Sequence, residues 1–167
     1  LSELLNSLLA QTRQDFELIL VDDSSTDGSP ELARAVAGDR ITIHRNPEPL
    51  GIPSNWNFCS ELVRTPFFCL AHQDDVYERT YLARMIDALV AQPDAALAHC
   101  QTSTIVESGQ HCLGPAERFK MHFWPRLQSA TLPELFALLH TGNFIACSSV
   151  LFRTEALRAA GGFRSDL

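Results

Sequence analysis

Lysine is all but missing from this chain: Lys120 is the only one among 167 residues, and the formal net charge is −7. No basic cluster offsets that charge, so a phosphate backbone would be repelled, which excludes nucleic acid as the main partner. Apolar runs stay well short of the roughly 20 residues that a membrane-spanning helix needs. No basic-then-apolar leader opens the chain. The five cysteines, Cys59, Cys69, Cys100, Cys112 and Cys147, show no CxxC spacing, which removes the usual zinc and redox motifs. They sit mostly in apolar runs, like small core residues, and fit a reducing compartment best. The six histidines include no HxxxH pair. Repeats and disordered tracts are not indicated.

What is present is the composition of an ordinary globular protein, 46% apolar and 20% charged, at a length that suits one domain with a sizeable core. Leu1, Leu4, Leu5, Leu8 and Leu9 recur at helical spacing. The run FELILV then reads as a strand. After DDSSTDG, Ser29 is the expected N-cap of a short helix, with Pro30 at its first position and Gly38 as its stop. RITIH alternates as a strand, SNWNFCSELV reads as a helix, and PFFCLA is the next strand. Leu82, Met85, Ile86, Leu89 and Val90 mark another helix, and AALAHC a further strand. Helices alternating with short apolar strands predict an α/β fold, a mostly parallel sheet with helices on both faces. From Thr102 to Ala130 loop chemistry mixes with an aromatic cluster, FKMHFWP, and predicts a long loop or small subdomain. A helix at TLPELFALLH, a strand at CSSVLF and a helix from Thr154 to Gly161 and Gly162 complete the pattern.

Chemistry gathers at two places. Asp22 and Asp23 end the strand of LILV, and Asp74 and Asp75 follow FFCLA in the stretch LAHQDDVY. Adjacent carboxylates repel, and a desolvated one needs a compensating charge or hydrogen bond. Either both pairs simply face water, or a ligand or cation holds them. Ligands of an open parallel sheet bind beyond the carboxyl ends of its strands, and both acid pairs lie there. With Ser24, Ser25 and Thr26 as small hydrogen-bonding neighbours, such an edge can hold a nucleotide and a hard cation on its diphosphate.

Four stretches, SLLAQTRQDFELILVDDSSTDGS, NPEPLGIPSNWN, FFCLAHQDDVY and CSSVLFRTEALRAAGGF, resemble in order and spacing the family 2 glycosyltransferases of the GT-A fold. The resemblance runs over 1–167 as one domain, with 1–101 as a nucleotide-binding half and 102–167 as an acceptor-side half. It implies transfer of a sugar, with inversion, from a nucleotide diphosphate sugar to an acceptor hydroxyl. It further implies a divalent metal, Mg²⁺ or Mn²⁺, and a sugar or glycolipid acceptor in the synthesis of a surface polysaccharide or glycolipid. The expected place is the cytoplasm, with peripheral attachment to the inner face of the membrane left open. The family's first strand would precede Leu1 and its general base would follow Leu167, so a fragment inactive on its own is expected. Two other functions stay open: a receiver-like Mg²⁺-dependent phosphoacceptor, which would need a lysine after a late strand where only Lys120 exists, and a nucleotide-sugar-binding module without catalysis.

Carried onto this sequence, the resemblance implies that Asp23 meets the nucleotide base while Asp22 and Ser25 shape its turn. Asp23 could instead cap that turn. Asp74 would lie near the ribose and, with Asp75, at the metal on the diphosphate. His72 stands where many relatives carry the first acid of this motif, and is either a donor to phosphate or a strand-end residue. Gly51 and Asn57 match a further family pattern in which Trp56 replaces a common arginine. Gly51 would serve a turn, and Asn57 a cap or the nucleotide. The segment from Asn143 to Ser149 would line the donor-sugar and acceptor pocket, unless Ser148 and Ser149 are plain strand residues.

Overall fold

The computed structural model describes residues 1–105, 111–112, 114, 131–141, 145–164 and 166. Lys120, the FKMHFWP cluster and Asn143 lie outside the described residues. The chain divides into two compact units, Leu1–Ala98 with Val150–Leu167, and His99–Ser149.

The first unit opens with α1 (Ser2–Leu9), whose Leu4, Leu5 and Leu8 are buried. β1 (Leu18–Asp22) and β2 (Ile41–Arg45) pair in parallel, from Leu18 opposite Ile41 to Asp22 opposite Arg45. Between them runs α2 (Ser29–Ala37). Leu5, Ala33, Ala37 and Ile41 form a buried cluster against which Leu18, Leu20 and Ile43 pack, so α1 and α2 cover one face of this pair. Phe16 and Glu17 stay outside the strand. A 3₁₀ turn, Gly38–Arg40, precedes Ile41 and offers them no partner strand, and Phe16 lies instead under the Arg40 guanidinium. The start of α2 also differs from expectation. Asp27 accepts the Ser29 N–H at 3.0 Å, so Gly28, at φ 79°, becomes the N-cap and Ser29 the first helical residue.

α3 (Ile52–Leu62), β3 (Phe67–Cys69), α4 (Tyr81–Ala91) and β4 (Leu97–His99) follow. β7 (Val150–Arg153) returns between β3 and β4, antiparallel to β3, with Phe68 opposite Phe152. The run CSSVLF does not form one strand. Ser149 folds back, its N–H and its hydroxyl both donating to the Ala146 carbonyl, so Cys147–Ser149 is a 3₁₀ turn and the strand starts at Val150. The last helix, α6 (Thr154–Ala159), ends at Gly161 and Gly162, both at positive φ. In the second unit, β5 (Thr104–Ile105) pairs antiparallel with β6 (His111–Cys112). α5 (Leu132–Thr141) opens on a capping box in which Glu134 accepts the Thr131 N–H and hydroxyl.

Gln11 ties the end of α1 to the segment after the second acid pair. It is 3% exposed, donates to the carbonyls of Ser7 and Glu78, and accepts the Leu82 N–H at 3.0 Å. Thr12 N–H to the Arg79 carbonyl and Tyr77 N–H to the Ser7 hydroxyl run beside it. Gln11→Leu keeps the volume but leaves the buried Leu82 N–H without its acceptor and takes one of two donors from the Glu78 carbonyl, which keeps the Tyr81 N–H. It should lower the unfolding free energy by about 2–4 kcal/mol in a urea titration.

Candidate functional site

The first acid turn is stapled to the end of β2. Asp22 is 4% exposed. Its Oδ1 accepts the Ser25 N–H at 3.2 Å, closing the turn, and Arg45 Nε stands 3.3 Å from its Oδ2, outside hydrogen-bond geometry. The same guanidinium donates to the Ser25 carbonyl at 2.7 Å. Ser24 sits at φ 63°, and its hydroxyl donates to the Asn46 carbonyl. The turn-closing role thus falls to Asp22, with Ser25 as its partner.

Asp23 reaches farther along the chain. Its Oδ1 accepts from Asn46 Nδ2 at 2.7 Å and from the Leu50 N–H at 2.8 Å, and its Oδ2 from the Gly51 N–H at 3.0 Å. The carboxylate therefore gathers the loop from Asn46 to Gly51. These donors, the Leu50 amide foremost, hold its pKa below the ordinary aspartate range. Asn46, 5% exposed, also donates to Asn55 Oδ1 at 2.9 Å. Gly51 stands at φ 77° as the N-cap of α3, a conformation that a side chain disfavours. Asn46 and Asn55 were not singled out by the sequence. An asparagine after a strand reads as loop chemistry, and only the fold reveals that one is buried between two acid-held elements.

The second acid turn follows β3. The Asp75 N–H donates to the His72 carbonyl at 3.1 Å, which puts Gln73 and Asp74 at the tip, both exposed. His72 Nδ1 faces Asp75 Oδ2 at 3.9 Å, and the imidazole stacks on Trp56 with ring centroids 5.2 Å apart. Asn57, one residue on in α3, turns to the chain after α6. Its Nδ2 donates to the Phe163 carbonyl at 2.8 Å, and its Oδ1 accepts the Phe163 N–H at 2.7 Å. A Cβ on Gly162 would meet that Oδ1 at 2.5 Å, so glycine is required there. Asn57 thus acts as a two-point clamp on the GGF turn.

One cavity of about 790 Å³ is lined by Asp22, Asp23, Asn55, Trp56, His72 and Asp74 among others, within the size range of ligand pockets. The two acid turns therefore share one cavity, although β1 and β3 belong to separate hydrogen-bonded sheets. Apolar side chains of α1, α4 and both strands, including Leu8, Leu82, Leu20 and Phe68, line much of its remainder.

The model of glycosyl transferase family 2 matches residues 1–159. The chain belongs to this family. A mannosyltransferase from Pyrobaculum calidifontis, solved with GDP-Man and Mn²⁺, superposes with a TM-score of 0.72 at 21% identity, over 98% of this chain and 43% of its own. TarS 1-349 of S. aureus, solved with UDP, gives a TM-score of 0.72 at 18% identity, over 97% of this chain and 45% of its own. A glycosyltransferase of Rickettsia prowazekii is 27% identical over 93% of this chain and 48% of its own length. The chain thus spans less than half of each of these proteins. The fold of this family 2 member is GT-A.

The donor set at the second turn bears on a metal. Among the described residues no group of three His, Cys, Asp or Glu side chains gathers to enclose an ion. Exposed Asp74 and the 36% exposed Asp75 carboxylate instead fit a Mg²⁺ or Mn²⁺ ion that keeps waters and takes its other oxygens from phosphates. Both oxygens of Asp166 accept from Arg164, which lowers its pKa. No helix among the described residues is long and apolar enough to cross a membrane.

Asp23→Ala should release the loop it gathers. Amide exchange at Leu50 and Gly51 should accelerate, and stability should fall by about 1–3 kcal/mol, as for lost hydrogen bonds to a charged group. The depressed pKa fixes the sign of the pH effect. The contribution is complete above the ordinary aspartate range and is lost as the pH falls through the lower folded value. Unfolding curves of the parent and Asp23→Ala should therefore converge in acid.

Proposed function

We propose that this domain binds a nucleotide diphosphate sugar with a divalent metal and, within its full protein, transfers the sugar with inversion to an acceptor hydroxyl. The observation that carries the reading is the convergence of both acid turns on one cavity in a GT-A fold. In this reading the half 1–101 holds the donor. Asp23 and the loop it organises, with Asp22, Ser25, Gly51 and Asn57 as its frame, form the nucleoside end. Asp74 lies near the ribose, and Asp75 with Asp74 carries the metal. The half 102–167 serves the acceptor, and a surface polysaccharide or glycolipid precursor handled at the inner membrane face is the acceptor class that family analogy favours.

The chemistry explains why these side chains suffice for the donor. As the anomeric carbon becomes oxocarbenium-like, charge grows on the departing diphosphate, and a cation there stabilises it as a Lewis acid. Asp74 and Asp75 would hold and orient that group. Support for a nucleotide diphosphate comes from the two solved relatives, one with GDP-Man and Mn²⁺ and one with UDP.

Titration calorimetry of UDP and GDP with this chain, with and without Mn²⁺, tests the reading. Mn²⁺ should strengthen binding, and Asp75→Asn should remove that gain, by about tenfold or more, while leaving metal-free binding almost unchanged. Equal loss with and without metal would make Asp75 a structural residue only.

A further inference from the structure

His72 and Trp56 make an arrangement behind the second acid turn that the donor-binding reading leaves without a role. The His72 ring lies nearly parallel to the Trp56 indole, 19° between planes, and Trp56 also meets Phe163 edge-on at 5.3 Å. Phe163 in turn meets Phe152 of β7, which stacks on Phe68 of β3. The plane of the imidazole is therefore set by a row of rings anchored in the sheet. Its backbone is set too, through the His72 carbonyl that accepts the Asp75 N–H.

The two ring nitrogens differ. Nε2 is buried and has no hydrogen-bond partner among the described residues, whereas Nδ1 faces Asp75 Oδ2 at 3.9 Å. A neutral imidazole carries one proton. On Nε2 it would be a buried N–H without an acceptor, the costly case, while on Nδ1 it points at a carboxylate. The Nδ1–H tautomer is favoured. A distance of 3.9 Å is longer than a hydrogen bond, and such contacts often close only when a ligand fills the site.

We propose that His72 and Trp56 are positioning residues: the indole fixes the imidazole, and the His72 Nδ1–H orients the Asp75 carboxylate toward the metal and diphosphate. Donors behind a metal-binding carboxylate commonly have this role. The proposal rests on Asp75 carrying the metal.

Two measurements test it. ¹⁵N chemical shifts of the His72 imidazole in the unmodified chain should show the proton on Nδ1, and a proton on Nε2 would overturn the proposal whether or not any metal binds. Mn²⁺ affinity in the presence of UDP or GDP, read by electron paramagnetic resonance, supplies the second. His72→Asn retains a donor near the Nδ1 position and should bind Mn²⁺ close to the parent. His72→Phe retains an aromatic ring without the donor and should lose about tenfold. Trp56→Leu should weaken Mn²⁺ in the same way and Trp56→Phe much less. Parent-like Mn²⁺ affinity in His72→Phe would overturn the proposal. Equal weakening in His72→Asn and His72→Phe would make the imidazole a direct ligand and overturn it as well. If the parent itself gains no Mn²⁺ affinity with nucleotide, the reading of Asp75 fails and the positioning role falls with it.

Discussion

The Asp23 carboxylate is the contact on which the site depends most. By accepting from Asn46, Leu50 and Gly51 it joins the end of β1 to the start of α3, across a loop that follows β2. The start of α3 then fixes three consecutive side chains with separate tasks. Asn55 accepts from Asn46, Trp56 carries the His72 ring, and Asn57 clamps Phe163. One charged group thus ties the first acid turn to the start of α3, whose Trp56 and Asn57 contact the second acid turn and the chain after α6. Hydrogen bonds to a charged acceptor are among the stronger that a half-exposed site can make, which suits a single residue to that task.

The two acid pairs divide their labour. Asp22 is buried, closes its own turn and faces Arg45, so its charge is internally answered. Asp23 is held by amides, the Leu50 N–H foremost, which lower its pKa below the ordinary aspartate range. Asp74 is exposed at a turn tip and Asp75, half-buried, closes that turn, where a cation can complete its shell with water and phosphate. The two pairs of adjacent carboxylates therefore avoid mutual repulsion by different means. In the first pair Arg45 stands beside Asp22 while neutral amides hold Asp23, and in the proposed function a metal compensates the second pair.

Much of this was legible in the sequence because it depends on local pattern. Helical leucine spacing gave α1, the apolar run of FELILV gave β1, alternation in RITIH gave β2, and acid pairs after strands gave the two turns. The family resemblance and the α/β layering stood on the same motifs. Partners at long separation were not legible. Nothing near Asp23 announces that its acceptors serve amides at Leu50 and Gly51, and nothing near Asn57 points to Phe163. The antiparallel return of β7 beside β3 and the shortening of CSSVLF by Ser149 are likewise decided by contacts that periodicity does not encode. Trp56 in place of a common arginine read as a departure, and its meaning emerged only with the His72 ring beside it.

The central claim is that both acid turns serve one donor and one metal. Paramagnetic broadening of backbone amide signals by Mn²⁺, recorded with and without UDP or GDP, tests it most directly. The account predicts that nucleotide localises Mn²⁺ at the turn from His72 to Asp75 and that the added nucleotide also shifts signals of Asp23, Leu50 and Gly51. Broadening at that turn that is the same with and without nucleotide, together with unshifted Asp23 and Gly51 signals, would contradict it.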